Sequence, residues 1–184
     1  MELYLIRHPE PDVAPGVCYG RSDIGLAGDA EIAAARLRAH LPAAAPVYSS
    51  PLTRCRTLAA RLVPEPLLDA RLVEMHFGEW ELKRWDDIAR AEFDAWAADL
   101  LNRAPPGGES AAQMLLRSLE FLADVQRAGL DAASVVTHGG LLRVLVAHWL
   151  DLPPRQWSRL SFEFGRVSKV VLGRHGARID YLNR

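Results

Sequence analysis

Leu3-Tyr4-Leu5-Ile6-Arg7-His8 is the stretch that decides the fold, because a short run of strand-forming apolar residues ends in a basic pair. A second run, Val135-Val136-Thr137, ends at His138 and is followed by Gly139-Gly140. Ligand crevices in open α/β sheets lie beyond the carboxyl ends of the strands. Two strand-like runs that each end in a histidine therefore predict one site, at the edge where these strands stop and their loops begin.

Apolar runs predict five strands, and a shorter extended piece covers Leu67–Leu68. The five strands are expected at Glu2–Ile6, Val47–Ser49, Ser134–Thr137, Val167–Leu172 and Arg178–Leu182. The last two flank Gly173-Arg174-His175-Gly176, which is typical of a hairpin connection.

Apolar residues at helical spacing separate these strands. The predicted helical segments run from Ala30 to Leu41, from Ser50 to Leu62, from Trp85 to Asn102, from Glu109 to Gly129, and from Gly139 to before Pro153. Ser50-Pro51 is expected to cap the second, and Gly129 to end the fourth. Helices between strands imply a mostly parallel sheet with helices on both faces. We predict a single α/β domain over residues 1–184, a three-layer α/β/α sandwich with an antiparallel C-terminal edge hairpin.

Composition limits the classes of function. The 184 residues are 49% hydrophobic and 24% charged, which is typical of one globular domain. A net charge of −1 gives no global attraction to nucleic acid or to an anionic membrane. No apolar run reaches the roughly 20 residues of a membrane span, and no signal peptide is visible, so we expect a cytoplasmic protein. Cys18 and Cys55 are expected as reduced thiols, and the oligomeric state is open between monomer and homodimer.

His8 and Arg7 are suited to phosphoryl chemistry. Neutral imidazole is a good nucleophile near neutral pH, provided that one ring nitrogen is free and the other is held by a fixed acceptor. A neighbouring arginine, charged at any working pH, can grip phosphate oxygens with its planar fork. The alternative is a surface pair at the end of a strand.

Two further segments offer partners for an anion. Arg54 lies in the helix that follows a strand through Ser49-Ser50-Pro51, and a helix N-terminus favours negative charge. His138 is followed by Gly139-Gly140, which allows a ligand to approach the backbone closely, and it would donate a hydrogen bond to a phosphate oxygen. The alternatives are a solvated arginine and a hydrogen-bonded core histidine.

The segment Leu72–Glu81 places acidic residues among aromatic ones. A carboxyl group close to a bound phosphate dianion can stay protonated and act as a general acid. Glu74 is our candidate for that role, and the alternative is a solvated acidic loop.

Together these segments resemble the histidine phosphatase superfamily, also called the phosphoglycerate mutase-like family, over nearly the whole chain. The matching motifs are Leu5-Ile6-Arg7-His8, Ser49-Ser50-Pro51-Leu52-Thr53-Arg54-Cys55, Glu74-Met75-His76-Phe77-Gly78-Glu79-Trp80-Glu81, Pro106-Gly107-Gly108-Glu109-Ser110 and Val136-Thr137-His138-Gly139-Gly140. Cys18-Tyr19-Gly20-Arg21-Ser22-Asp23 and the short length resemble the alpha-ribazole phosphatase branch of that family.

The resemblance implies a phosphatase that works through a phosphohistidine and needs no metal or cofactor. It makes His8 the nucleophile and Glu74 the proton donor. The phosphate site then comprises Arg7, His8, Arg54, His138 and Gly139. The substrate would be a small phosphomonoester, expected as alpha-ribazole 5′-phosphate and bound by Tyr19, Gly20 and Arg21. Aromatic residues could line a pocket for its ring, although core packing is the other interpretation for Tyr19, Phe77, Trp80 and Trp85.

The chain departs from the common family pattern at four positions around these residues. Glycine, threonine, asparagine and glycine are replaced by Pro9, Pro11, Ala14 and Leu82. Two other functions remain open: a mutase-type transferase or broad sugar-phosphate phosphatase, and a non-catalytic phosphate- or protein-binding domain.

Overall fold

The structure, a computed structural model, describes residues 1–184 around one six-stranded sheet. The strands are β1 (Glu2–Arg7), β2 (Val47–Ser49), β3 (Leu67–Leu68), β4 (Ala132–Thr137), β5 (Val167–Gly173) and β6 (Gly176–Tyr181). Their order is β3-β2-β4-β1-β5-β6. The first four pair in parallel, whereas β5 is antiparallel to β1 and β6 to β5. The predicted fold class is confirmed.

Four of the five α-helices cover the sheet, whereas the third packs against a small core around Trp80. The five helices are α1 (Ala30–Arg38), α2 (Thr53–Leu62), α3 (Arg90–Ala98), α4 (Ala111–Arg127) and α5 (Gly139–Trp149). Short 3₁₀ turns lie at Ala70–Leu72, Gly78–Trp80, Trp85–Asp87 and Pro154–Arg159. None of the helices has both the length and the apolar character needed to cross a membrane.

Strand β1 shows why the chain forms three layers. Its side chains alternate between the two faces of the sheet. Leu3 and Leu5 join the core formed with α4 and α5, whereas Tyr4 and Ile6 join the core formed with α1 and α2. A run that is apolar at every position is therefore buried on both faces, as expected for a central strand of a largely parallel sheet.

The start of α2 differs from the prediction. The helix begins at Thr53, and Leu52 at its N-cap provides no side-chain hydrogen bond. Asp23 provides the cap from elsewhere in the chain, since its carboxylate accepts from Thr53 N at 2.6 Å and from Thr53 Oγ1 at 2.8 Å. Ser50 does not cap α2, because its hydroxyl accepts from Leu52 N at 3.3 Å, before the first turn of the helix, and lies 2.8 Å from the ring of His138.

The predicted helix from Trp85 to Asn102 is also shorter in the structure, since only Arg90–Ala98 is α-helical. Ile88 is extended and buried, and it packs with Cys18 and Trp80 in a small core of their own. Tertiary packing therefore overrides the helical spacing in this segment.

Smaller differences occur at the other helix ends. α1 stops at Arg38 rather than Leu41. α4 begins at Ala111, where Ser110 and Gln113 form a capping box. Gly129 follows the end of α4 with φ of +70°, as a helix-terminating glycine does.

Candidate active site

Three parallel strands end at the same edge of the sheet and bring the predicted residues together. Arg7 pairs with Thr137 across β1 and β4, and Ser49 pairs with Val136 across β2 and β4. The next residues along the chain therefore meet, and the ring centroids of His8 and His138 lie 5.1 Å apart.

His8 has one tethered and one free ring nitrogen. Its Nδ1 lies 2.6 Å from the carbonyl oxygen of Pro9, and because a carbonyl only accepts, Nδ1 carries the proton and Nε2 keeps its lone pair. Burial lowers the pKa of His8 to about 3, and the charges of Arg54 and Arg7 act in the same direction, while the bond to Pro9 opposes them. The imidazole is therefore neutral, as a nucleophile requires.

The two predicted arginines are fixed by backbone carbonyls rather than by carboxylates. Arg54 is 0% exposed, and its Nη1 and Nη2 donate to Ser22 O at 2.8 Å and Gly20 O at 2.6 Å. Arg7 donates from Nη1 to Phe162 O at 2.6 Å and lies over the ring of Phe164. The Nε of each arginine is buried without a hydrogen-bond partner. Neutral acceptors leave both positive charges uncompensated, which suits an anion site.

His138 is completely buried beside the nucleophile. Its Nε2 lies 2.8 Å from Ser50 Oγ and 3.4 Å from the thiol of Cys55. Burial holds the pKa of His138 well below its usual value, and the nearby positive groups add to that effect. Its hydrogen bond to a phosphate oxygen stays a prediction, since the structure shows Ser50 as its partner.

Glu74 is buried at the N-terminus of α5. Its carboxylate accepts from Met75 N and from Gly140 N, both at 2.9 Å. A Cβ atom at position 140 would clash with this carboxylate, and one at position 139 would lie 2.9 Å from Nε of Arg7. Gly139-Gly140 therefore let the helix end approach both side chains, and Glu74 does not lie in a solvated loop.

Two further carboxylates hold the segments that carry these groups. Glu81 accepts from the backbone N–H groups of Arg21, Ser22 and Phe77 and from the hydroxyl of Ser22. It therefore fixes the loop whose carbonyls bind Arg54. Sequence reasoning did not find this role.

Glu109 holds in place two arginines that bind the backbone of Glu74. It pairs with Arg21 at 2.9 Å and with Arg117 at 2.6 Å, and both arginines donate to the carbonyl oxygen of Glu74. Burial opposes ionisation of Glu109, yet the bonds to Arg117 and the backbone of His76 leave its pKa lowered. Arg21 thus contacts Glu109 and Glu74 here, and its predicted substrate contact stays a prediction.

A cavity of about 580 Å³ opens beside Arg7 and Glu74, within the size range of ligand pockets, about 300–1,000 Å³. Of the predicted pocket residues, Tyr19, Gly20, Phe77, Trp85 and Gly139 line it. Trp80 instead packs in the small core with Cys18 and Ile88. His8, Arg54 and His138 do not line the cavity themselves, and their exposures are 1%, 0% and 0%.

Three residues that the sequence reasoning missed also line the cavity: Phe93, Trp96 and Arg143. Arg143 follows Gly139 by four residues on α5, so helical spacing from the glycine pair could have placed it on the same face. The sequence does not predict that Phe93 and Trp96 line the cavity, because residues 81–89, which lead to them, follow an irregular path.

The charges at the sheet edge favour an anion. Arg7 and Arg54 carry two positive charges and Glu74 carries one negative charge, so these groups have a net positive charge when the histidines are neutral. No group of three His, Cys, Asp or Glu residues placed to hold a metal ion occurs in the structure.

Comparison with known proteins agrees with this geometry. The model of the histidine phosphatase superfamily (branch 1) matches residues 3–184. The adenosylcobalamin/alpha-ribazole phosphatase of Salmonella typhimurium is 30% identical over 202 residues, covering 100% of this chain and 96% of that protein. A mycobacterial glucosyl-3-phosphoglycerate phosphatase, solved as a complex with VO3, superposes with a TM-score of 0.85 at 28% identity, covering 99% of this chain and 98% of the other. The chain with His8 and Glu74 at this sheet edge belongs to the histidine phosphatase superfamily, branch 1.

Proposed function

We propose that the protein hydrolyses phosphomonoesters in two steps through a phosphohistidine on His8. The observation that carries the proposal is the bond from Nδ1 of His8 to the Pro9 carbonyl, which leaves Nε2 as a neutral nucleophile among uncompensated arginines. Arginine forks and oriented N–H groups stabilise the charge that spreads over the phosphoryl oxygens in the transition state.

In the first step the Nε2 lone pair of His8 forms a bond to phosphorus while the bond from phosphorus to the ester oxygen breaks. Glu74 acts as the general acid and gives a proton to the departing alkoxide, so the product alcohol leaves neutral. In the second step water attacks phosphorus and the P–N bond breaks. Breaking of the P–N bond returns the electron pair to Nε2 of His8 and releases inorganic phosphate, while Glu74 takes a proton from the attacking water and regains its acid form.

The preferred substrate in this proposal is alpha-ribazole 5′-phosphate. Full-length similarity to the Salmonella enzyme supports it, as does an aromatic-lined cavity next to Glu74. The similarity to a glucosyl-3-phosphoglycerate phosphatase favours a sugar-linked phosphoglycerate as the second candidate. Aromatic faces bind planar heterocycles and the apolar faces of sugars alike, so both substrates belong in the assay.

The test is turnover of a panel of phosphomonoesters with EDTA present, with an alkaline quench to trap the acid-labile phosphohistidine. We expect release of inorganic phosphate, a label retained on the protein at high pH, and faster turnover of alpha-ribazole 5′-phosphate than of glucosyl-3-phosphoglycerate. An isomerised phosphoester as product would indicate a mutase. Binding of phosphate without any turnover would indicate a non-catalytic domain, and loss of activity in EDTA would contradict the metal-free mechanism.

A further inference from the structure

Arg143 is a cation without an acidic partner inside a mostly apolar cavity. Its Nε donates to Leu160 O at 3.1 Å, and it forms no salt bridge and no other hydrogen bond. The Nη1 and Nη2 atoms are not among the buried groups without a partner, so they remain accessible. The residue lines the cavity, and these two nitrogens are therefore available to a ligand.

The cavity around Arg143 is mostly apolar. Fourteen of the 21 residues that line the cavity are hydrophobic, and they include Phe77, Trp85, Phe93 and Trp96. The apolar part of the cavity has no role in holding a phosphate group. It is the space that the alcohol portion of a phosphomonoester would occupy.

Partial burial of the Arg143 guanidinium without an acidic partner costs free energy. Burial lowers the pKa of Arg143, while the carboxylate of Glu74 raises it and the charge of Arg7 lowers it further. Glu74 must carry a proton to act as the acid, and it then no longer compensates Arg143. A partly buried cation is stabilised when an acceptor reaches it, and a guanidinium N–H can donate to a carboxylate or to a ring nitrogen.

We infer that Arg143 is a specificity-determining residue that binds a hydrogen-bond acceptor on the leaving group, and that the substrates of this site are aromatic or similarly apolar phosphomonoesters carrying such an acceptor. The inference rests on the proposed phosphatase function and adds which phosphomonoesters the cavity selects. It ranks small, strongly polar esters such as O-phosphoserine below aromatic ones, because they leave the apolar wall uncovered.

Three synthetic esters built on one bicyclic ring frame test this inference: 2-naphthylmethyl phosphate, quinolin-3-ylmethyl phosphate with a neutral ring nitrogen, and a carboxynaphthylmethyl phosphate. All three leave as similar primary alcohols, so differences in kcat/KM report recognition. The wild-type protein should hydrolyse at least one acceptor-bearing ester about 10- to 100-fold faster than the plain naphthyl ester, as for a hydrogen bond to a charged group. The acceptor-bearing ester with the higher kcat/KM shows whether Arg143 prefers a neutral heterocycle or a carboxylate as its partner.

Arg143→Met should remove that preference while leaving kcat/KM for the naphthyl ester within about threefold of wild type. Arg143→Lys keeps a charge and a donor and should retain part of the preference. Arg159→Met, on the exposed surface of the 3₁₀ turn, is the matched control and should change neither value.

Equal turnover of all three esters by the wild-type protein, or a preference that survives in Arg143→Met, overturns the role of Arg143. Faster turnover of O-phosphoserine than of any aromatic ester overturns the substrate class. In both cases a phosphohistidine trapped on His8 would leave the proposed function standing, whereas failure to trap it with every ester would refute the proposed function itself.

Discussion

Nδ1 of His8 lies 2.6 Å from the carbonyl oxygen of Pro9, one of the residues at which the sequence departs from the expected family pattern. Proline removes a backbone N–H but keeps its carbonyl, so the acceptor that orients the imidazole is preserved. Its fixed φ also limits the motion of the backbone that carries this acceptor. The substitution is therefore compatible with the nucleophilic role of His8.

Replacing His8 with alanine should eliminate turnover and the alkali-stable protein label, because no other side chain in the site offers a free neutral nitrogen to phosphorus. The fold should persist, since the neighbouring strand pairing does not involve this ring. Phosphate release, label retention and far-UV circular dichroism measure the three outcomes. A variant with wild-type turnover would falsify the assignment of the nucleophile.

Glu74→Gln should slow alkyl phosphates by about 10²- to 10⁴-fold, because the alkoxide would leave without a proton. A p-nitrophenyl ester needs little protonation and should lose far less. Both substrates are compared on the same variant, so general damage to the site cancels. Glu79→Gln, at an exposed position nearby, is the control. Equal losses on the two esters would argue against general acid catalysis by Glu74.

The sequence was sufficient for the parts of the site that lie directly on strand ends. The carboxyl ends of neighbouring parallel strands lie at the same edge of the sheet, so the sequence alone predicts that Arg7, His8 and His138 lie together. Arg54 followed from the helix after the next strand, although its carbonyl partners, Gly20 and Ser22, did not.

The remainder depended on tertiary contacts without a local sequence pattern. Asp23 caps α2 from 30 residues away, and Glu81 reaches three backbone N–H groups across an irregular loop. The sequence predicts Ser50 as a helix cap, yet its hydroxyl contacts His138. Such polar side chains take whichever partner the assembled fold presents, and residue type alone cannot distinguish the options.

Gly140→Ala should reduce kcat/KM by about 10- to 100-fold, because the added methyl group clashes with the carboxylate of Glu74 and displaces it. The strain of displacing the Glu74 carboxylate is offset by the preference of a helix for alanine over glycine, which is up to about 1 kcal/mol. The free energy of unfolding should therefore change little. Kinetics and urea unfolding separate the two effects. Gly28→Ala, where a Cβ meets nothing within 4 Å, is the matched control. Full activity of Gly140→Ala would mean that the position of Glu74 is not critical.

His8 should make the protein less stable in acid. Its pKa is about 3 in the folded protein, below the ordinary value of about 6.5 expected after unfolding, so between these values only the unfolded chain binds the proton. The free energy of unfolding therefore falls as the pH drops below 6.5, by up to about 1.4 kcal/mol per pH unit from this residue. Urea unfolding between pH 7 and 4.5 should show a shallower decline in His8→Ala than in wild type.

His175→Ala, in the exposed turn between β5 and β6, provides the comparison for that experiment and should keep the wild-type decline. Identical pH dependence in His8→Ala and wild type would contradict the burial of a neutral imidazole at position 8.

Leu82, another residue that departs from the expected family pattern, has a φ of +66°. The left-handed conformation costs a residue with a Cβ about 1–2 kcal/mol, whereas glycine loses about 0.4–1 kcal/mol through the freedom of the unfolded chain. The side chain is 64% exposed, so little burial is lost on its removal, and Leu82 N–H keeps its bond to Cys18 O. Leu82→Gly should therefore be more stable than wild type by up to about 1 kcal/mol. Leu82→Ala retains the strain and should show no gain in urea unfolding, and a glycine variant less stable than wild type would show that the backbone at this position is not strained.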